Sequence, residues 1–239
     1  MAKMTLDGLV AQLSAIYGGD LVCAALYGSA ARGERLERHS DINVFVVVER
    51  ITMEHLRKEA PLAQSWREAG NPPPLTLTRA EWVGSADIFP IEYADILAFH
   101  KVLAGALPIE GVSVSPDHLR LQLEHEAMSK LLRLRHAVMQ AGRDAKGQLA
   151  VMEDASSTML VLLRALLRLL GEEPPADSEA VCARVRERCG IDTSPWARVV
   201  RHLRGREALA PRDAEVLVEG YLGSAQALVT YLDRYIHQA

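Results

Sequence analysis

The sequence predicts an α+β protein, with a β-sheet carrying helices in its N-terminal part and an all-α helical bundle after it. Three observations predict this. Short apolar strands interleave with helical stretches up to about residue 105, strand signals then stop, and the long segments that follow carry apolar residues at helical spacing. With 239 residues, 49% hydrophobic and 24% charged, the chain can bury two modest cores and has an ordinary globular balance. The expected domains are residues 1–107 and 115–239.

Leu6, Leu9, Val10, Leu13, Ile16 and Tyr17 recur at helical spacing, and Gly18-Gly19 stops that helix. Leu21 to Tyr27 is a short, continuous apolar strand that ends at Gly28-Ser29. Asp41 to Val48 is the strongest strand, because its β-branched run suits burial on both faces. A helix follows from about Glu54 to Ala69, with Pro61 expected to delay or break it. Asn71 and the three prolines after it form a stiff connector. Leu75 to Thr78 reads as a strand, Arg79 to Ser85 as a short helix and Ile88 to Ala94 as another strand.

Beyond residue 115, Leu119 to Met139 is helical. So is the segment from about Ala150 to Leu170, whose apolar stripe is wide enough for a central bundle helix. Ser178 to Cys189 is a shorter helix. Ser194 reads as an N-cap with Pro195 at the first helical position, ahead of a stripe of Trp196, Val199, Val200 and Leu203. Ala214, Val218, Tyr221, Ala225, Leu228, Leu232 and Tyr235 step by four and three, a seam suited to close packing. About five helices result.

Composition excludes several classes. A net charge of -4 gives no global pull toward nucleic acid. Arg184, Arg186, Arg188, Arg198, Arg201, Arg204 and Arg206 crowd one stretch, but Trp196 belongs to the apolar stripe opposite Arg198, Arg201 and Arg204, so no aromatic interleaving supports base stacking. They are read as a solvated helix face, and no nucleic-acid partner is expected. Cys23, Cys182 and Cys189 are read as reduced thiols. The N-terminus lacks a signal pattern, and the apolar run Met159 to Leu170 is too short to span a bilayer and contains Arg164 and Arg168. A cytoplasmic, non-membrane protein is expected. His125-Glu126 opens no zinc-protease motif, because position 129 is serine.

The informative stretch is Leu26 to Val48. A strand delivers Gly28-Ser29, where glycine allows close backbone approach to a phosphate and serine can donate a hydroxyl. A short helix starting there would aim free N–H groups at the same anion. Ser40 then precedes a second strand opening Asp41-Ile42-Asn43, and residues two apart on a strand share a face.

This pattern resembles the nucleotidyltransferase motif of the DNA polymerase β superfamily: Gly-Ser, a spaced Gly, then Ser-Asp-x-Asp in an apolar strand. Gly28, Ser29, Gly33, Ser40 and Asp41 match it, whereas Asn43 stands where a carboxylate is usual. Residues 85 to 105 and 119 to 142 also resemble an uncharacterised group of bacterial proteins that pair such a domain with a kanamycin nucleotidyltransferase-like helical domain.

The resemblance implies an N-terminal mixed sheet and two Mg²⁺ (or Mn²⁺) ions held by carboxylates on this strand and on a later one. The metals would clamp the triphosphate and lower the pKa of the attacking hydroxyl. Gly28, Ser29, Arg32, Gly33 and Ser40 are the candidate nucleotide-binding residues, with Asp41, Asn43 and Glu92 as catalytic and metal-binding ones. Glu92, in the expected strand Ile88 to Ala94, is the first choice for the third carboxylate or for the base; a solvent-facing edge residue is the other reading. Asp95 is read as a helix cap at that strand's end. The implied function moves a nucleoside monophosphate from an NTP to a hydroxyl of a small molecule or protein. The alternative is a catalytically degenerate nucleotide-binding or partner-binding module, with a homodimer through the helical domain as one possible assembly.

Overall fold

A computed structural model describes residues 3–33 and 41–235. The chain divides into two compact units, Met1–Val114 and Ser115–Ala239.

The first unit begins with α1 (Leu6–Tyr17), N-capped by Thr5, whose hydroxyl accepts the Gly8 N–H at 3.1 Å. β1 (Leu21–Tyr27) follows, then a single helical turn, α2 (Gly28–Ala31). After β2 (Asn43–Val48) come α3 (Met53–Glu68), β3 (Leu75–Thr78), α4 (Arg79–Gly84), α5 (Pro90–Ala98) and β4 (Lys101–Gly105). The sheet order is β3-β2-β1-β4. β1 pairs antiparallel with both neighbours, while β3 runs parallel to β2, so the sheet is mixed as expected.

Both faces of β1 and β2 are buried. On one, Leu26, Val44, Val46 and Val48 pack against Leu9, Leu13 and Tyr17 of α1 and Leu62 and Trp66 of α3. On the other, Cys23, Ala25, Phe45 and Val47 meet Trp82 of α4 and Tyr93 and Ile96 of α5. This double burial is why the central strands read as continuous apolar runs. α3 runs unbroken through Pro61, contrary to expectation. Proline removes one intrahelical bond, and burial of Leu62 and Trp66 on either side of the next turn holds the helix together.

The strand expected at Ile88 to Ala94 does not form. Pro90 sits at the start of α5, where its fixed φ suits a first helical residue. Tyr93 and Ile96 then bury at helical spacing. The strand lies later, at β4, and ends in Gly105 at φ 69°. A Cβ there would lie 2.0 Å from the Val22 carbonyl oxygen, so only glycine fits.

The second unit is a bundle of α6 (Pro116–Ala141), α7 (Ala145–Leu169), α8 (Ser178–Cys189), α9 (Ser194–Leu203) and α10 (Ala214–Arg234). α7 is central and contacts the other four. Its Arg164 is almost fully buried and donates through Nη2 to the Ala176 carbonyl at 2.7 Å. The N-cap of α9 is Thr193 rather than Ser194, which is already helical; the buried Thr193 hydroxyl makes no capping bond and donates to the Cys182 carbonyl at 2.7 Å. Among the described residues no helix is long and apolar enough to cross a membrane. The arginines of α8, α9 and the turn after α9 meet acids from flanking segments: Arg184 with Glu172, Arg198 and Arg201 with Glu207, Arg204 with Asp177, and Arg206 with Glu179. All three cysteines are free thiols.

Candidate functional site

The candidate site gathers at the C-terminal end of β1. The chain leaves Tyr27, turns at Gly28 with φ 72° and makes the one-turn helix α2. The first amides of a helix have no intrahelical acceptor, so those of Gly28, Ser29 and Ala30 are the donors such a turn offers an anion. Ser29 is half-buried and Gly33 exposed. Ser40 lies outside the described residues.

β2 brings Asn43 to the same place. Tyr27 and Asn43 are cross-strand partners, and alternation puts both on the face shared by Phe45 and Val47, toward α4 and α5. A Cβ at position 28 would stand 3.3 Å from the Asn43 amide nitrogen, a contact set against the left-handed φ of that residue. An amide can present nitrogen or oxygen by a half-turn of its head, so either atom can face the turn. Asp41 is exposed, two residues ahead of Asn43. Between them, the Ile42 N–H donates to Asn71 Oδ1 at 2.9 Å. Asn71 is itself buried, so its amide fixes the backbone that carries Asp41.

α5 contributes the remaining charges. Glu92 is in the first turn of this helix, not in a strand, and Asp95 is inside the helix, not a cap. Three residues apart, they lie on one helical side. Burial first, then the charges of Glu92 and Asp95, raise the pKa of the Tyr27 phenol. The two carboxylates therefore act on the same end of β1 that carries Gly28. Arg32, a candidate phosphate ligand, donates from Nη1 to both Asp95 oxygens at 2.8 and 3.1 Å, with both side chains largely buried.

No acidic residue occurs in the strands after β2: β3 is Leu-Thr-Leu-Thr and β4 is Lys-Val-Leu-Ala-Gly. The resemblance placed a third carboxylate on such a strand, and α5 is where an acid comes near instead. Among the described residues, no three His, Cys, Asp or Glu side chains come together in a way that could hold a metal ion. Sequence reasoning missed Tyr27 and Asn71. Tyr27 could have been found from its place at the strand's last position, on the face of Phe45 and Val47. The only local signal for Asn71 is an amide ahead of three prolines, and its partner lies 29 residues away.

No protein-family model and no curated protein matches this sequence. Among solved structures, the chain is similar to spectinomycin adenyltransferase AAD(9) from Enterococcus faecialis, solved with ATP and spectinomycin. The TM-score is 0.58 at 13% identity, over 95% of this chain and 97% of that one. The fold is nucleotidyltransferase-like. In this chain, the mouth of β1 and β2 holds a glycine turn, an amide, an exposed carboxylate and, on α5, Glu92 together with the Arg32-bonded Asp95.

Proposed function

We propose that this protein transfers a nucleoside monophosphate from an NTP to a hydroxyl group of a small molecule, assisted by Mg²⁺ or Mn²⁺. The observation that carries this reading is the Gly28 turn set against Asn43 at the mouth of β1 and β2, within a nucleotidyltransferase-like fold. The neighbour's ATP and spectinomycin support an NTP and a small-molecule acceptor as the classes to test.

Asp41, Asn43 and Glu92 offer hard oxygen donors. They fit one Mg²⁺ held by one or two carboxylates and completed by substrate phosphate oxygens. Such an ion, when bound, would offset triphosphate charge and acidify the acceptor hydroxyl. The backbone amides of Gly28 and Ser29 and the Ser29 hydroxyl hold phosphate oxygens, and Gly33 and Ser40 complete that segment. The Asn43 amide N–H donates to an α-phosphate oxygen, and Asp41 would hold the cation beside it. Glu92 takes the proton from the acceptor hydroxyl as its oxygen bonds to the α-phosphorus; the bond from that phosphorus to the bridging oxygen breaks, and pyrophosphate leaves. Arg32 acts chiefly through Asp95, holding α2 and α5 together. Positioning and electrostatics supply most of the rate.

One observation favours a second reading, a nucleotide-binding module without chemistry: Asn43 is neutral and neither later strand carries an acid. One assay separates them. Purified protein is incubated with each labelled NTP, Mg²⁺ or Mn²⁺, and a panel of hydroxylated small molecules that includes aminocyclitols. Pyrophosphate release with label on an acceptor, lost in Asp41→Ala, is expected. Nucleotide binding with no pyrophosphate across the panel would replace the transferase with the module.

A further inference from the structure

The helix α6 carries an apolar stripe that the other described helices of its bundle leave exposed. Leu121, Met128, Leu132 and Met139 are 61%, 43%, 46% and 68% exposed. At about 100° per residue they fall within about 20° of one line along the helix, over roughly 27 Å. Leu119, Leu123, Ala127, Leu131 and Leu134 are buried on another side of the same helix, so the stripe is not part of the bundle core. Four exposed apolar side chains in line, with His125 and Arg135 between them, form a row that a second helix can cover.

Its spacing names the partner. Leu121 and Met139 are each nine residues from position 130, and Met128 and Leu132 each two. The stripe therefore reads the same in both chain directions. A second α6, antiparallel about a two-fold axis at the level of residue 130, sets Leu121 beside Met139 of the partner subunit and Met128 beside the partner's Leu132. An isologous contact requires this self-complementarity. The charges agree. Glu124 and Arg135, eleven residues apart, share one flank of the stripe, six positions before and five after the centre. In the antiparallel pair each Glu124 faces Arg135 of the partner subunit, twice by symmetry. On their own chain Glu124 accepts from Arg120 at 2.6 Å and Arg135 donates to Gln226 at 2.5 Å, and both remain partly open to solvent. The other flank presents His125 and His136 at the same levels.

We infer that two copies of this chain associate through antiparallel α6 helices, with the stripe Leu121–Met128–Leu132–Met139 as the seam and Glu124–Arg135 pairs fixing direction. One helix pair of this length is at the small end of stable interfaces, so the dimer dissociates on dilution.

Sedimentation velocity on the full chain over a concentration series tests this. The wild type should pass from one to two chains as concentration rises. Leu132→Glu should weaken association at least tenfold, and Met139→Lys, near the helix end, should do the same if the first variant loses its helical circular dichroism. Glu124→Arg and Arg135→Glu should each weaken it several-fold, and the two combined in one chain should restore it. A wild type monomeric up to about 0.5 mM, a dimer indifferent to Leu132→Glu and Met139→Lys, or a double reversal weaker than either single would each overturn the inference.

Discussion

Arg32 grips both carboxylate oxygens of Asp95 with one nitrogen, at 2.8 and 3.1 Å, tying the turn after β1 to the interior of α5. With 8% and 15% of the two side chains exposed, removing either partner takes a charge-assisted bond out of a poorly hydrated place. Asp95→Ala should lower stability by about 3–5 kcal/mol, while Arg32→Met with Asp95→Leu should cost less than either single change. Urea denaturation of the three variants measures this. If Arg32 also reaches phosphate, the double variant will fold yet bind nucleotide more weakly; recovered binding would make the pair a clamp alone.

Asn43 should be convertible to a stronger cation ligand. A unit charge pair at 4 Å is worth on the order of 4 kcal/mol at an effective dielectric of 20, so Asn43→Asp should tighten Mg²⁺ or Mn²⁺ at least tenfold in calorimetric titration. The replacement is nearly isosteric. Unchanged affinity would remove position 43 from the site.

Asn71 acts one step from the chemistry. Asn71→Ala takes the acceptor from the Ile42 N–H and should cost about 1–3 kcal/mol. Nucleotide or metal affinity should fall as well, because the backbone beside Asp41 loses its anchor. A loss of stability with affinity intact would show that Asp41 is positioned by other means.

Acid should loosen the helical unit. Hydrogen bonds and charge from Arg198 and then Arg201 hold Glu207 below its usual value of 4.5, against the opposing effect of burial. Arg184 does the same for Glu172. For a carboxyl with a depressed folded pKa, the stabilisation is complete above 4.5 and is lost as pH falls through the lower folded value. Thermal melts should therefore hold level down to about pH 5 and decline below 4.5. Glu207→Gln should flatten that decline, and an unchanged slope would exclude this glutamate as a contributor.

Local chemistry was legible where one segment carried its own signal. A continuous apolar run ending at Gly28 placed β1 at Leu21–Tyr27, an alternating Leu-Thr run after three prolines placed β3 at Leu75–Thr78, and α8 was read at its observed bounds, Ser178–Cys189. The run around Pro90 was misread because a short apolar stretch fits either period, and the proline's preference for a first helical turn was the cue to weigh more heavily. At the site, Gly28 and Asn43 were visible as residue types at a spacing. The Arg32–Asp95 and Asn71–Ile42 bonds join residues 63 and 29 apart, so only the folded chain reveals them.

The two outer strands are short, four residues in β3 and five in β4. β3 is also stitched inward, since Thr76 donates to Glu59 at 3.3 Å while Tyr17 donates to the same carboxylate. β4 ends with Gly105 against the Val22 carbonyl, leaving no room for even one methyl group. Neither border offers a long, loose ribbon on which a stranger's backbone could template itself. Crowded native molecules are thereby steered away from ladder-by-ladder fibril growth.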